Sequence, residues 1–184
     1  MTYSFDYGTS GNSARFVILD NWATPSRSAV NANGYNYGYE IGDQQSWISS
    51  RLDKSTRGTT QAFVFSHQPL MAENHQDSPF TGYTDANPAM QNAFFASLQN
   101  NGVEYYISGH DHMNQRSIIA SPDGASKVQE IIGASDSSKF YTPKATTDPK
   151  WYGQKTRETS IAQDLYTVGY YTYTVDGPRV TVDY

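Results

Sequence analysis

Short apolar runs, separated by polar stretches rich in Gly, Asn and Tyr, set out this chain. Arg15-Phe16-Val17-Ile18-Leu19-Asp20 is apolar at successive positions and ends in a carboxylate, which predicts a buried strand. Ala62-Phe63-Val64-Phe65-Ser66 predicts a second, ending at His67 with Pro69 just beyond. Residues 103–108 predict a third, followed directly by Gly109-His110-Asp111-His112. Between these runs the period lengthens. Trp47, Ile48, Arg51 and Leu52 fall on one side of a helix predicted over 44–53, with Asp43 as its cap. Asn87-Pro88 offers a cap and a first-turn proline to a second helix. In it Met90, Ala93, Phe94 and Leu98 share a face, and Asn101-Gly102 closes it.

Beyond residue 113 the pattern turns to strands alone, expected at 115–120, 127–133, 166–174 and 179–183. Pro122-Asp123-Gly124 and Asp176-Gly177-Pro178 are turn signals between them. Residues 21–42 and 135–163 are long and polar, and are expected as loops, the second as a loop or insertion. Strand–helix alternation followed by a run of strands predicts an α/β fold with helices packed on a sheet. The later strands would extend that sheet or build a second, antiparallel one.

Composition narrows the class. Leu, Ile, Val and Phe are sparse, but 15 Tyr supply apolar bodies, and a net charge of −5 is too small for a disordered tail. The length of 184 residues suits a single domain. The chain has no Cys, which excludes a disulfide framework, a thiolate zinc site and a cysteine nucleophile. No apolar run is long enough for a membrane span, and the first seven residues do not read as a signal peptide. An acidic balance without a Lys/Arg cluster argues against nucleic-acid binding.

Three of the four histidines follow predicted buried strands: His67 after one, His110 and His112 after another. Sites in α/β sheets gather at the carboxyl ends of strands, and neutral imidazole is a common metal ligand. Metal binding at these three is therefore expected. His75 lies in a loop with no partner pattern and reads as an ordinary polar residue. The aromatic stretches at 33–39 and 139–152 read as loop packing, with lining a pocket as the functional alternative. Lys139, Lys144, Lys150, Lys155 and Arg157 read as a solvated charged loop.

Phe65-Ser66-His67-Gln68-Pro69 followed by Tyr106-Ile107-Ser108-Gly109-His110-Asp111-His112 resembles the calcineurin-like metallophosphoesterases, purple-acid-phosphatase-like branch. A helix of the Gln45-x-Trp47-Ile48 kind before the first histidine strengthens the likeness, which covers roughly residues 14–134. The resemblance implies part of a four-layer α/β/β/α sandwich with mixed sheets. It also implies a phosphate-ester substrate and two divalent or trivalent ions (Fe, Mn or Zn). His67 and His110 would hold one ion and His112 the other, with no role for Asp111.

The family's upstream Asp-x-His, Gly-Asp-x-x-Asp and Gly-Asn-His-[Asp/Glu] motifs are absent. Gly42-Asp43-Gln44-Gln45 only begins like the second, and Asn74-His75 lacks the preceding Gly of the third. The chain thus resembles the C-terminal half of such an enzyme, an incomplete domain over 1–184. One ion or none is then expected, no catalytic side chain is assigned, and hydrolysis by the isolated chain should be weak or absent. An exposed sheet edge would invite self-association. A non-catalytic remnant or partner-binding half-domain is the first alternative. The second is a secreted carbohydrate-binding β module using surface Tyr and Trp. The parent enzyme would be an exported one, periplasmic or extracellular.

Overall fold

The computed structural model describes residues 2–21, 41–75, 78–80, 86–135, 138–144 and 156–184. Seven strands form one mixed sheet: β1 (Tyr3–Thr9), β2 (Asn12–Leu19), β3 (Gln61–Ser66), β4 (Tyr105–Ser108), β5 (Asn114–Ala120), β6 (Lys127–Gly133) and β7 (Glu158–Asp164). Their order across the sheet is β1-β2-β3-β4-β6-β5-β7. Helix α1 (Ile41–Leu52) lies between β2 and β3 in the chain, and α2 (Pro88–Asn100) between β3 and β4. Strands β2, β3 and β4 run parallel, and β4 pairs parallel with β6. Two crossovers that advance in one direction with the usual right hand put both helices on one face.

That face holds the larger core. Val17, Leu19, Ala62, Val64, Tyr106, Ile119 and Val128 from the sheet meet Ile41, Ile48, Leu52, Phe94, Phe95 and Leu98 from the helices. The opposite face carries Ala14, Phe63, Tyr105 and Ile131. It is covered by a hairpin of β8 (Thr172–Asp176) and β9 (Arg179–Asp183), through Tyr173, Val175, Val180 and Val182. The described residues therefore supply helix, sheet and second-sheet layers of the expected sandwich. The later strands do both things anticipated: β5, β6 and β7 extend the main sheet, and β8–β9 start another.

Several boundaries differ from expectation. Strand β1 was not anticipated, and β2 begins at Asn12 rather than Arg15. Helix α1 starts at Ile41, so Asp43 sits inside its first turn and does not cap it. Its buried positions are Ile41, Gln44, Ile48 and Leu52. Trp47 packs partly against the core, whereas Arg51 is exposed with its guanidinium 5.6 Å over the Trp47 ring. In α2 the buried face is Gln91, Phe94, Phe95, Ser97 and Leu98, and Ala93 is exposed. Asn87 precedes α2 in a left-handed conformation, and its side chain donates to the Phe80 carbonyl instead of capping. Of the stretch 135–163, Glu158–Asp164 is an edge strand paired with β5, because Ser160 and Thr159 meet Ser117 and Ile118 in register. The strand expected at 166–174 begins only at Thr172. The 33–39 stretch, Lys150, Trp151, Tyr152 and Lys155 lie outside the described residues.

Candidate functional site

Parallel pairing of β3 with β4 brings the two histidine-bearing strand ends level. Val64 faces Tyr106 and Phe65 faces Ile107, so the chain beyond both strands emerges at one edge of the sheet. The register continues past the strands, since the Gly109 N–H donates to the His67 carbonyl at 3.1 Å. The sharp turn is then made by His110, whose φ of 66° is left-handed, and not by Gly109. A side chain in that region is strained, and such strain collects where the surrounding structure enforces a functional geometry. Here it turns the His110 ring toward His67 and directs Asp111 inward.

His67 Nε2 and His110 Nδ1 are 3.1 Å apart, and the rings meet edge to face with centroids at 4.9 Å. His112 is not in that pair. Its ring stacks on Tyr141 at 4.6 Å and 10°, and its Nδ1 is buried without a hydrogen-bond partner. Tyr141 reaches this position because its N–H donates to the His112 carbonyl at 3.0 Å. Part of the 139–152 stretch therefore does line the site.

His75, expected to stand apart, joins the group. Its ring lies over His110 with centroids at 4.1 Å, and it meets Tyr141 at 5.2 Å. Its Nδ1 is 2.6 Å from Asp111 Oδ1. The N–H groups of Glu73, Asn74 and His75 also point at the Asp111 carboxylate. Burial pushes the Asp111 pKa up, but the His75 ring and these backbone donors outweigh it and hold the carboxyl below its usual value. An ionised carboxylate only accepts, so the His75 Nδ1 faces Asp111 as a donor. Asp111, given no role from the sequence, thus orients His75 and fixes the loop after β3.

A second buried carboxylate holds the same loop. Glu130 on β6 accepts from the N–H groups of Leu70 at 2.5 Å and Met71 at 3.1 Å. Burial raises its pKa well above the ordinary value, against the lowering by these donors, and the charges of Glu158 and Glu73 raise it further. Glu73 and Glu158 meet at Gln115, whose Nε2 donates to each at 2.6 Å.

Whether these side chains suit a metal ion follows from donor chemistry. Two cis ligands with bonds of about 2.1 Å stand roughly 3 Å apart, which the His67–His110 nitrogens match. The orphaned Nδ1 of His112 is a further donor in need of a partner. Among the described residues, however, no three His, Cys, Asp or Glu side chains are gathered in ligating positions. Asp111 is occupied by the 73–75 backbone. The group therefore fits part of one ion's shell and falls short of a two-ion centre.

No protein-family model matches the chain, and no curated protein sequence matches it. In fold, it is similar to PhoD, with 20% identity and a TM-score of 0.58 over 100% of this chain and 37% of that one. It is similar to the purple acid phosphatase PPD1 from yellow lupin (Lupinus luteus) seeds, with 14% identity and a TM-score of 0.51 over 94% and 27%. It is also similar to GAP50, the anchor in the inner membrane complex of Plasmodium, with 15% identity and a TM-score of 0.50 over 94% and 45%. The chain spans less than half the length of each. No helix among the described residues is long and apolar enough to cross a membrane. The mixed sheet, its two covered faces and these likenesses together give the chain a mixed α/β fold that resembles those of PhoD and the lupin purple acid phosphatase.

Proposed function

We propose that this chain supplies the imidazole side of a metal-dependent phosphoric ester hydrolase site. The observation that carries this reading is the 3.1 Å approach of His67 Nε2 to His110 Nδ1 at the shared strand edge. These two would hold one ion, and His112 would serve a second once its ring left Tyr141. A bound Fe, Mn or Zn ion would polarise a phosphoryl oxygen and neutralise phosphate charge. His75, oriented by Asp111, would hold or deliver a proton at Nε2 beside the ester. The carboxylates that a two-ion centre needs would come from residues other than those described, so the isolated chain should turn over poorly.

A second reading has its own support. Asp111, the buried carboxylate nearest the histidines, is committed to the loop, and one of the fold neighbours is described as an anchor and not by a reaction. That favours a half-domain that binds without hydrolysing. The readings separate in an assay of p-nitrophenyl phosphate and bis(p-nitrophenyl) phosphate with Mn, Fe or Zn added. The hydrolase reading expects metal-dependent turnover that His110→Ala removes. Metal binding without turnover points to the half-domain, and turnover indifferent to His110 contradicts the site.

A further inference from the structure

Strand β1 is an edge of the sheet, with no described strand beyond it. Its alternation puts Tyr3, Phe5 and Tyr7 on one face, and these are 49%, 48% and 77% exposed. The rings belong to a row that runs inward. Tyr3 stacks on Phe5, Phe5 on Phe16 at 5.0 Å, Phe16 on Phe63, and Phe63 on Tyr105. The β8–β9 hairpin covers the inner end, while near β1 a groove of about 1030 Å³ lies open between Tyr7, Phe16, Tyr173 and Val175. Natural edge strands are usually blunted by Lys, Pro or a bulge. This one has none of the three. Its one charge, Asp6, is neutralised on the other face by a two-pronged contact with Arg15 at 2.7 and 2.8 Å.

We infer that β1 pairs antiparallel with β1 of a second copy of this chain, with Phe5 opposite Phe5, to make one continuous sheet across a two-fold axis. The register follows from the sequence. An axis perpendicular to the sheet keeps both aromatic rows on one face, so aromatic must stand opposite aromatic. Centring on Phe5 sets Tyr3 against Tyr7 of the second copy, Phe5 against Phe5, and Asp6 against Ser4. Centring on Asp6 keeps only two aromatic pairs and opposes two like charges; centring on Ser4 also loses a pair. Opposed aromatic residues stabilise a pair of strands, and opposed like charges destabilise it.

The exposed portions of the three rings offer roughly 350 Å² per copy, taking about 200 Å² for a whole side chain. Two copies and their pairing backbones then fall at the small end of specific interfaces, near the lower bound of about 1,200 Å². The dimer should accordingly be weak and not persist at high dilution.

The absence of Cys allows a register-specific test. Directly opposed Cα atoms in an antiparallel pair are about 4.5–5.5 Å apart, within disulfide range. Sedimentation velocity from micromolar to millimolar chain should show a monomer–dimer equilibrium, weakened at least tenfold by Tyr7→Lys. On mild oxidation Phe5→Cys should cross-link to itself. Tyr3→Cys and Tyr7→Cys should each link poorly alone and efficiently when mixed, a result that does not depend on the Phe5 variant folding. A monomer throughout would overturn the inference, whether β1 is bare or covered by another protein. So would a dimer that links through Ile161→Cys on β7 and not through β1.

Discussion

Asp111 and Glu130 are both buried, and both hold the loop after β3, yet their protonation equilibria are displaced in opposite directions. Asp111 has a ring N–H and three backbone N–H groups aimed at it. Glu130 has two, and shares its surroundings with Glu73 and Glu158. A carboxyl whose pKa is raised on folding contributes most below its unfolded value, near 4.5, and loses that contribution as pH rises toward the folded value. Urea unfolding of wild type and Glu130→Gln from pH 4 upward should therefore diverge. Wild type falls relative to the variant with a limiting slope of about 1.4 kcal/mol per pH unit. Parallel profiles would show that Glu130 ionises at an ordinary pKa. His75 shows why part of the site could not be read from the sequence. Its partner Asp111 lies 36 positions away, and only the left-handed turn at His110 directs that carboxylate to it.

At the scale of elements, strands buried on both faces were the legible ones. β3 and β4 announce themselves as apolar runs, and the Asn101-Gly102 signal closes α2 as expected. Gly102 has φ 67°; its N–H bonds to the Gln99 carbonyl and that of Val103 to Leu98. A Cβ there would touch nothing within 4 Å, so Gly102→Ala tests backbone strain alone. It should cost about 1–2 kcal/mol, seen as a lowered urea midpoint with unchanged slope. A neutral result would place the helix end elsewhere. Strand β7 was illegible for a physical reason: most of its positions are exposed, and its Thr, Ser and Gln give no hydrophobic contrast for alternation to reveal. Strand β1 was missed although Tyr3, Phe5 and Tyr7 alternate with Ser4 and Asp6, because it forms no continuous apolar run. Trp47 illustrates the opposite case. Its place beside Ile48 on an apolar stripe predicted packing, and it does pack against the core.

At the scale of the whole molecule, one sheet does two jobs. Its helix-covered core sets β3 and β4 side by side, which delivers the histidines to one edge. Its other face is covered at the centre and open toward β1. The spacing of His67 from Gly109-His110-Asp111-His112 made the shared edge legible, because both follow parallel strands joined by a helix. The orientation of His112 was not legible, since Tyr141 reaches it from a stretch without regular structure. The central claim is that the imidazole pair at this edge is a metal-ligating group. Native mass spectrometry of the untagged chain, titrated with Zn, Mn or Fe, tests it most directly and without reference to turnover. The account predicts about one ion per chain, lost in both His67→Ala and His110→Ala. No bound ion, or binding that survives both substitutions, would contradict it.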